Sequence, residues 1–225
     1  RALILADGGH HVLSSATFSR VQLHRNNAFY DFLLKICELV YENLLASETP
    51  GKSKFRDFLQ DDATVMGTLF EEFVRNFYKI EMSWYKVHKE EITWKAEAFD
   101  ELSMHHLPRM ETDISIENQK HKIVIDTKFY KETLASNRGG IEKIRSQHSY
   151  QIFAYLKNLE KQGGININCT GVLLYPTVQK ELSLNYNIDG HKVMIQTINL
   201  NQDWQFIDRD LRELLEAAKP DEIAA

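Results

Sequence analysis

Apolar residues recur at helical spacing in several stretches of the chain and alternate with polar ones in between. Over 27–46, Phe29, Phe32, Leu33, Ile36, Leu39, Val40 and Leu44 form one broad face. That face predicts an amphipathic helix, ended by Pro50-Gly51. A second helix is predicted from Asp61 to Ile80, with Asp61 or Asp62 as its cap and Val65, Leu69, Phe70, Phe73, Val74 and Phe77 as its core stripe. The period then changes to two. Residues 91–98, 109–117 and 121–129 read as successive strands, the last two joined by a hairpin at 118–121. Residues 130–140, with Asn137-Arg-Gly-Gly140, read as a mobile loop, and 141–161 as a helix closed by Gly163-Gly164. A buried strand follows over 170–176, stopped by Pro176, and 181–199 form a hairpin turning at Asp189-Gly190. The last element is a helix over 204–218, with Trp204, Phe206, Ile207, Leu211, Leu214 and Leu215 inward. Helix, three-strand meander, helix, strand is the pattern of an α/β core with a mixed sheet flanked by helices. It divides the chain into a helical region over 1–60 and a main domain over 61–225.

Composition narrows the reading by exclusion. At 225 residues the chain can bury a good core. Its net charge of −5 carries no global basic field, so any nucleic-acid contact must rest on a local patch. Two distant cysteines, Cys37 and Cys169, give neither a zinc site nor a disulfide framework and fit a reduced, cytoplasmic protein. No apolar run approaches the roughly 20 residues that span a bilayer, so no membrane partner is expected. The chain opens on Arg1 without an export signal, and reads as a piece of something longer. Gly8-Gly9-His10-His11 reads as a solvent loop. Ala46 to Ser53 satisfies a relaxed phosphate-loop pattern, but it follows an amphipathic helix rather than a buried strand, so that reading is rejected.

Chemistry concentrates in two strings, Met110-Glu-Thr-Asp113-Ile and Ile123-Val-Ile-Asp126-Thr-Lys128. Residues i and i+2 of a strand share a face, about 6.6 Å apart, so Asp126 and Lys128 project together while Ile123, Ile125 and Thr127 face the other way. Asp113, on the preceding strand, reaches the same side across the hairpin. Two carboxylates and an ammonium suit a hard cation, a scissile phosphate and an attacking water. Mg²⁺ is the expected ion, with Mn²⁺ substituting, and the carbonyl of Thr127 is an additional candidate ligand. Lys128 would position the nucleophile or stabilise the pentacovalent transition state. On the following helix, Gln147, Gln151 and Tyr155 lie at i, i+4 and i+8 and share a stripe. The plain alternative is a surface ion pair at a strand end beside an ordinary amphipathic helix.

These strings resemble the PD-(D/E)XK nuclease superfamily and, within it, the McrC family. The likeness is carried by Leu107-Pro-Arg-Met-Glu-Thr-Asp113-Ile, Ile125-Asp-Thr-Lys-Phe-Tyr-Lys131, Ser146-Gln-His-Ser-Tyr-Gln-Ile-Phe-Ala-Tyr155-Leu, Gly171-Val-Leu-Leu-Tyr-Pro176 and Thr197-Ile-Asn-Leu-Asn-Gln-Asp-Trp204. It covers most of residues 28–215. It implies a restriction-endonuclease-like core and a Mg²⁺-dependent endonuclease subunit of a methylation-dependent restriction system. Such subunits work with a McrB-type AAA+ GTPase hexamer that recognises methylated DNA, and stimulate it through a more N-terminal portion that this chain is expected to lack. By the same resemblance Asp113, Asp126 and Lys128 occupy catalytic positions, and Gln151 and Tyr155 match a helix that orients the site or the DNA backbone. Glu71 matches a helical acid that serves as a metal ligand through water. Thr112 stands where the superfamily motif has proline, and Asp126 where it often has Glu.

DNA contact is expected from the segment 128–145, where Lys128, Lys131, Arg138, Lys143 and Arg145 outnumber Glu132 and Glu142. A basic segment beside a metal site suits phosphate contacts, which carry no sequence information. Trp84, Trp94 and Trp204 are expected to pack in the core or at its edge. The alternatives to a restriction nuclease are a non-catalytic adaptor with a nuclease fold, which would need none of the acid–acid–lysine set, and a repair or recombination nuclease acting on ends or flaps.

Overall fold

The computed structural model describes residues 3–6, 9–12, 54–100, 102–129, 134–136, 142–177 and 180–220, with backbone alone for 3–6, 9–12, 54–65, 134–136 and Glu142. The helix expected over 27–46, the phosphate-loop-like string, Lys131 and Arg138 lie outside the described residues. The chain divides into two compact units, Arg1–Val65 and Met66–Ala225. In the first, β1 (Leu3–Ala6) pairs antiparallel with β2 (Gly9–Val12), so His10 and His11 belong to a strand rather than to the expected loop.

The helix expected from Asp61 starts earlier: α1 spans Lys54–Glu81, and Asp61 and Asp62 lie within it rather than capping it. Phe55, Phe58 and Leu59 extend the apolar spacing toward the N-terminus, which is why the helix continues there. Its stripe is buried as expected at Phe70, Phe73, Val74 and Phe77, joined by Tyr78.

The main sheet has six strands in the order β11-β12-β10-β7-β6-β3. Its members are β3 (Lys86–His88), β6 (Ile114–Glu117), β7 (Lys122–Thr127), β10 (Thr170–Pro176), β11 (Ser183–Ile188) and β12 (His191–Ile198). Strands β7, β10 and β12 run parallel and the rest antiparallel, so the sheet is mixed. A parallel pair needs a crossover. Between β7 and β10 that crossover contains α2 (Ser146–Glu160). The closing α3 spans Trp204–Ala218.

The strand expected over 91–98 is a correction. Only β4 (Glu91–Ile92) forms there, paired with β5 (Met110–Glu111) in a separate two-stranded ribbon. Beyond Ile92 other partners take over: the Lys95 backbone N–H donates to Asn158 Oδ1 at 2.9 Å, and the Trp94 side chain is tied down by its indole N–H, which donates to the Pro108 carbonyl at 2.5 Å. The helix expected from 141 likewise begins at Ser146, because β9 (Glu142–Ile144) pairs with β8 (Leu134–Ser136), inside what was expected to be a loop. The hairpin turn was placed correctly. Asp189 and Gly190 both have positive φ, 50° and 87°, the combination that a two-residue type I′ turn requires.

α2 covers one sheet face, where Ile152, Tyr155, Leu156 and Leu159 pack on Val124, Leu173, Tyr175, Val193 and Ile195. Strand alternation sends Ile123, Ile125, Val172 and Leu174 to the opposite face. The Tyr78 hydroxyl donates to the Leu211 carbonyl at 2.8 Å, tying α1 to α3. In α3, Ile207, Leu211, Leu214 and Leu215 are buried, but Trp204 and Phe206 are 49% and 45% exposed rather than inward, and the Arg209 guanidinium lies over the Phe206 ring. Trp84 is exposed as well; of the three tryptophans Trp94 alone packs against the core. Among the described residues, no helix is long and apolar enough to cross a membrane.

Candidate active site

The carboxyl ends of β7 and β10 lie side by side, and the first turns of α2 stand over them. Open α/β sheets place their ligand sites at such strand ends. Ile114 pairs with Ile125, so continuing the register by one residue sets Asp113 opposite Asp126. Asp126 shares the sheet face of Val124, toward α2, while Asp113, in the bend before β6, turns its carboxylate to Thr127.

Asp113 is held by what lies across from it. Its Oδ2 accepts the Thr127 N–H at 2.7 Å and the Thr127 hydroxyl at 2.9 Å. A side-chain carboxylate thus takes the ladder position that a backbone carbonyl would otherwise fill. Burial, then the charge of Glu71, raises the Asp113 pKa, against the opposing pull of Lys128 and the two Thr127 bonds.

Asp126 is completely buried. The Lys128 ammonium lies 2.7 Å from its Oδ2 as an ion pair, but neither carboxylate oxygen has a well-directed hydrogen bond. Burial pushes its pKa up to about 7; Lys128 pulls it down and Asp113 adds to the rise. A buried anion without hydrogen bonds is costly, and such sites concentrate where function needs them. Lys128 is anchored by its own backbone, its N–H donating to the Leu174 carbonyl on β10 at 2.8 Å.

Gln151 and Tyr155 converge on the same corner. The Gln151 amide donates to the Tyr155 hydroxyl at 2.7 Å, and that hydroxyl donates to the Glu111 carbonyl at 2.8 Å. Burial raises the Tyr155 pKa to about 12, so the phenol stays protonated and keeps donating at neutral pH. The pair fixes α2 to the strand that leads into Asp113. Gln147, one turn earlier, is exposed.

Glu71 sits near enough to Asp113 and Asp126 to raise both their pKa values. Its carboxylate is engaged by Arg75 at 2.6 Å and by Lys89. Arg75 also reaches the Asp113 carbonyl at 3.4 Å. Sequence reasoning missed both cations. Arg75 had a readable signal, an acid–base pair at i and i+4 on one helix; Lys89, 18 residues from Glu71, had none. Of the expected DNA contacts, Lys143 is exposed and Arg145 half-buried at the start of α2. Beneath them His148 is buried, with Nδ1 2.9 Å from the Tyr175 hydroxyl. Burial, with the nearby charges of Lys128 and Arg145, holds it down at about 4 and therefore neutral.

Among the described residues, no group of three or more His, Cys, Asp or Glu forms a cage for a metal. A cage is not what Mg²⁺ needs, since it is usually held by one or two carboxylates with water and substrate phosphate completing its shell. Asp113 and Asp126 supply two, and Asp126, whose Oδ1 has no partner and whose Oδ2 meets only Lys128, fits a hard cation.

A family model described as "McrBC 5-methylcytosine restriction system component" matches residues 4–176. Among curated proteins, the "Type IV methyl-directed restriction enzyme EcoKMcrBC" of Escherichia coli (strain K12) is 31% identical over 204 residues. The match takes in 91% of this chain and 58% of that protein, so the chain spans little more than half the length of this relative.

Proposed function

The chain belongs to the McrBC 5-methylcytosine restriction system component family, and on that premise we propose that it is a metal-dependent DNA endonuclease subunit, recruited to methylated DNA by a McrB-type AAA+ GTPase. One observation carries the nuclease reading: a fully buried carboxylate, Asp126, whose one close partner is the Lys128 ammonium and whose charge is felt by Asp113 nearby. An adaptor would gain nothing from such an arrangement, and the cost of burying the charge makes it hard to explain as packing. The core, in this reading, is restriction-endonuclease-like.

Asp113 and Asp126 would hold Mg²⁺, with the Thr127 carbonyl as a further ligand. When bound, the ion neutralises charge on the scissile phosphate and acidifies a water. Lys128, fixed to β10 by its backbone, places its ammonium beside Asp126, where it stabilises negative charge growing on the phosphate. Thr127 donates two hydrogen bonds to Asp113 and holds that carboxylate in one orientation. Gln151 and Tyr155 lock α2 against the Glu111 carbonyl and so keep the wall of the site in place. Glu71, engaged by two cations, would reach a metal only through water. Lys143 and Arg145, with Lys131 and Arg138, supply phosphate contacts that carry no sequence preference; recognition of the methylated base is assigned to the partner.

The test is plasmid cleavage by the full-length assembly with its GTPase, with Mg²⁺ or Mn²⁺, comparing wild type with Asp126→Ala. Cutting should be lost while assembly and GTP hydrolysis persist. Undiminished cutting by the variant would reduce the domain to a scaffold.

A further inference from the structure

Thr112 and Asp113 occupy the gap between the end of β5 and the start of β6, where the backbone leaves one ribbon for the main sheet. A gap of that kind loses ladder hydrogen bonds and with them its fixed geometry. Here a ring of hydrogen bonds closes over it. Thr112 N–H donates to the Glu90 carbonyl at 2.9 Å, and Glu90 N–H donates to Thr112 Oγ1 at 3.0 Å. The Thr112 and Ser115 hydroxyl oxygens are 3.0 Å apart, and Ser115 Oγ donates to Glu90 Oε2 at 2.9 Å. Thr112 and Ser115 are both buried.

The proton directions are forced. A carboxylate only accepts, so the single hydroxyl proton of Ser115 goes to Glu90. The proton between the two hydroxyls is therefore that of Thr112, whose oxygen also accepts from Glu90 N–H. The ring runs from Glu90 N–H through Thr112 and Ser115 and returns to the Glu90 carboxylate, all donors pointing one way, an arrangement in which each bond polarises the next. Lys122 completes it from below, its buried ammonium 2.8 Å from Glu90 Oε1 and 2.9 Å from Glu117 Oε2.

We infer that Glu90, Thr112 and Ser115, anchored by Lys122, are positioning residues that set Asp113 for metal binding. The ring fixes the backbone immediately before Asp113, while Thr127 fixes its carboxylate from across the sheet. Neither clamp is sufficient alone: the Thr127 bonds orient the carboxylate only if the Asp113 backbone is already in place. This rests on reading Asp113 and Asp126 as the metal-holding pair.

The experiment compares Thr112→Val, Thr112→Ser and Ser115→Ala in the full-length protein, with Mn²⁺ alone as the probe and cleavage kinetics in the complete assembly. Valine keeps the branched shape and deletes the hydroxyl; serine keeps the hydroxyl. Outer-shell partners of metal ligands are typically worth about 10-fold or more in affinity. Thr112→Val should weaken Mn²⁺ binding about 10-fold and lower kcat with the KM for DNA unchanged, and Thr112→Ser should restore both. Ser115→Ala opens the ring at its other hydroxyl and reads the same property should Thr112→Val fail to fold. Equal behaviour of the valine and serine variants, or wild-type Mn²⁺ affinity in Ser115→Ala, overturns the inference. Asp126→Asn serves as reference: if the wild type shows no Mn²⁺ binding that this change abolishes, the metal-site reading falls first and takes the ring's role with it.

Discussion

Asp126→Asn should make the metal-free protein more stable while abolishing its cutting. The wild-type carboxylate is completely buried, its pKa raised from 3.8 to about 7. The folded state therefore binds the proton more tightly than the unfolded chain does. The stability contributed by the protonated form is complete below the unfolded pKa and lost as pH rises through the folded one. About three pKa units at 1.36 kcal/mol each set a ceiling of about 4 kcal/mol. Asp113 bears part of the same repulsion, and asparagine leaves an amide that must find its own partners, so we take about 2 kcal/mol at pH 8. For a chain of this size that corresponds to a rise in Tm of about 4–8 °C. The assay is thermal unfolding in EDTA between pH 5 and pH 8. The gap between variant and wild type should be widest at pH 8 and close toward pH 5. Comparing the two proteins also cancels His148, whose lowered pKa of about 4 acts with the opposite sign in both. Mg²⁺ should raise the Tm of wild type and leave that of the variant unchanged. A gap that does not depend on pH, or a variant less stable than wild type at pH 8, would refute the reasoning.

Other consequences can be checked alongside. Lys122→Met removes the counter-charge of Glu90 and leaves Glu117 with Lys86 alone, and denaturant unfolding should show a loss of about 3 kcal/mol. Gly171→Ala should cost about 1–3 kcal/mol by the same assay, because a Cβ there would lie 2.8 Å from Ile152 Cγ1 and 2.9 Å from Leu156 Cδ1. Lys143→Ala, at an exposed position, should weaken binding to any DNA sequence alike and reduce the slope of log affinity against log salt by about 0.9. Mn²⁺ affinity, measured by titration calorimetry, should fall as pH drops below about 7, since the ion then competes with the proton on Asp126.

What the sequence determined by itself is what repeats over short distances. Alternation along Ile123–Lys128 set the directions of Asp126 and Lys128, and the short connection to Ile114–Glu117 brought Asp113 opposite. The spacing of Gln151 and Tyr155 put both on one stripe of a helix, where they hydrogen-bond. Periodicity says which way a side chain points from its own backbone, and that was enough for the acid–acid–lysine set. It does not say which distant segment arrives to meet it. Glu71, matched by resemblance to a metal ligand through water, is engaged by Arg75 and by Lys89, the second of which its own position does not foretell. The stretch after Ile92 alternates like a strand, but Asn158 takes the Lys95 N–H and Pro108 holds the Trp94 indole. Trp204 and Phe206 had helical spacing, yet both are exposed at the start of α3. The ring of Glu90, Thr112 and Ser115 joins residues 22 and 25 positions apart, none of them unusual in sequence. Only the tertiary structure could bring them together, because burial forces each polar group to find a partner and the register of the sheet decides which partner is within reach.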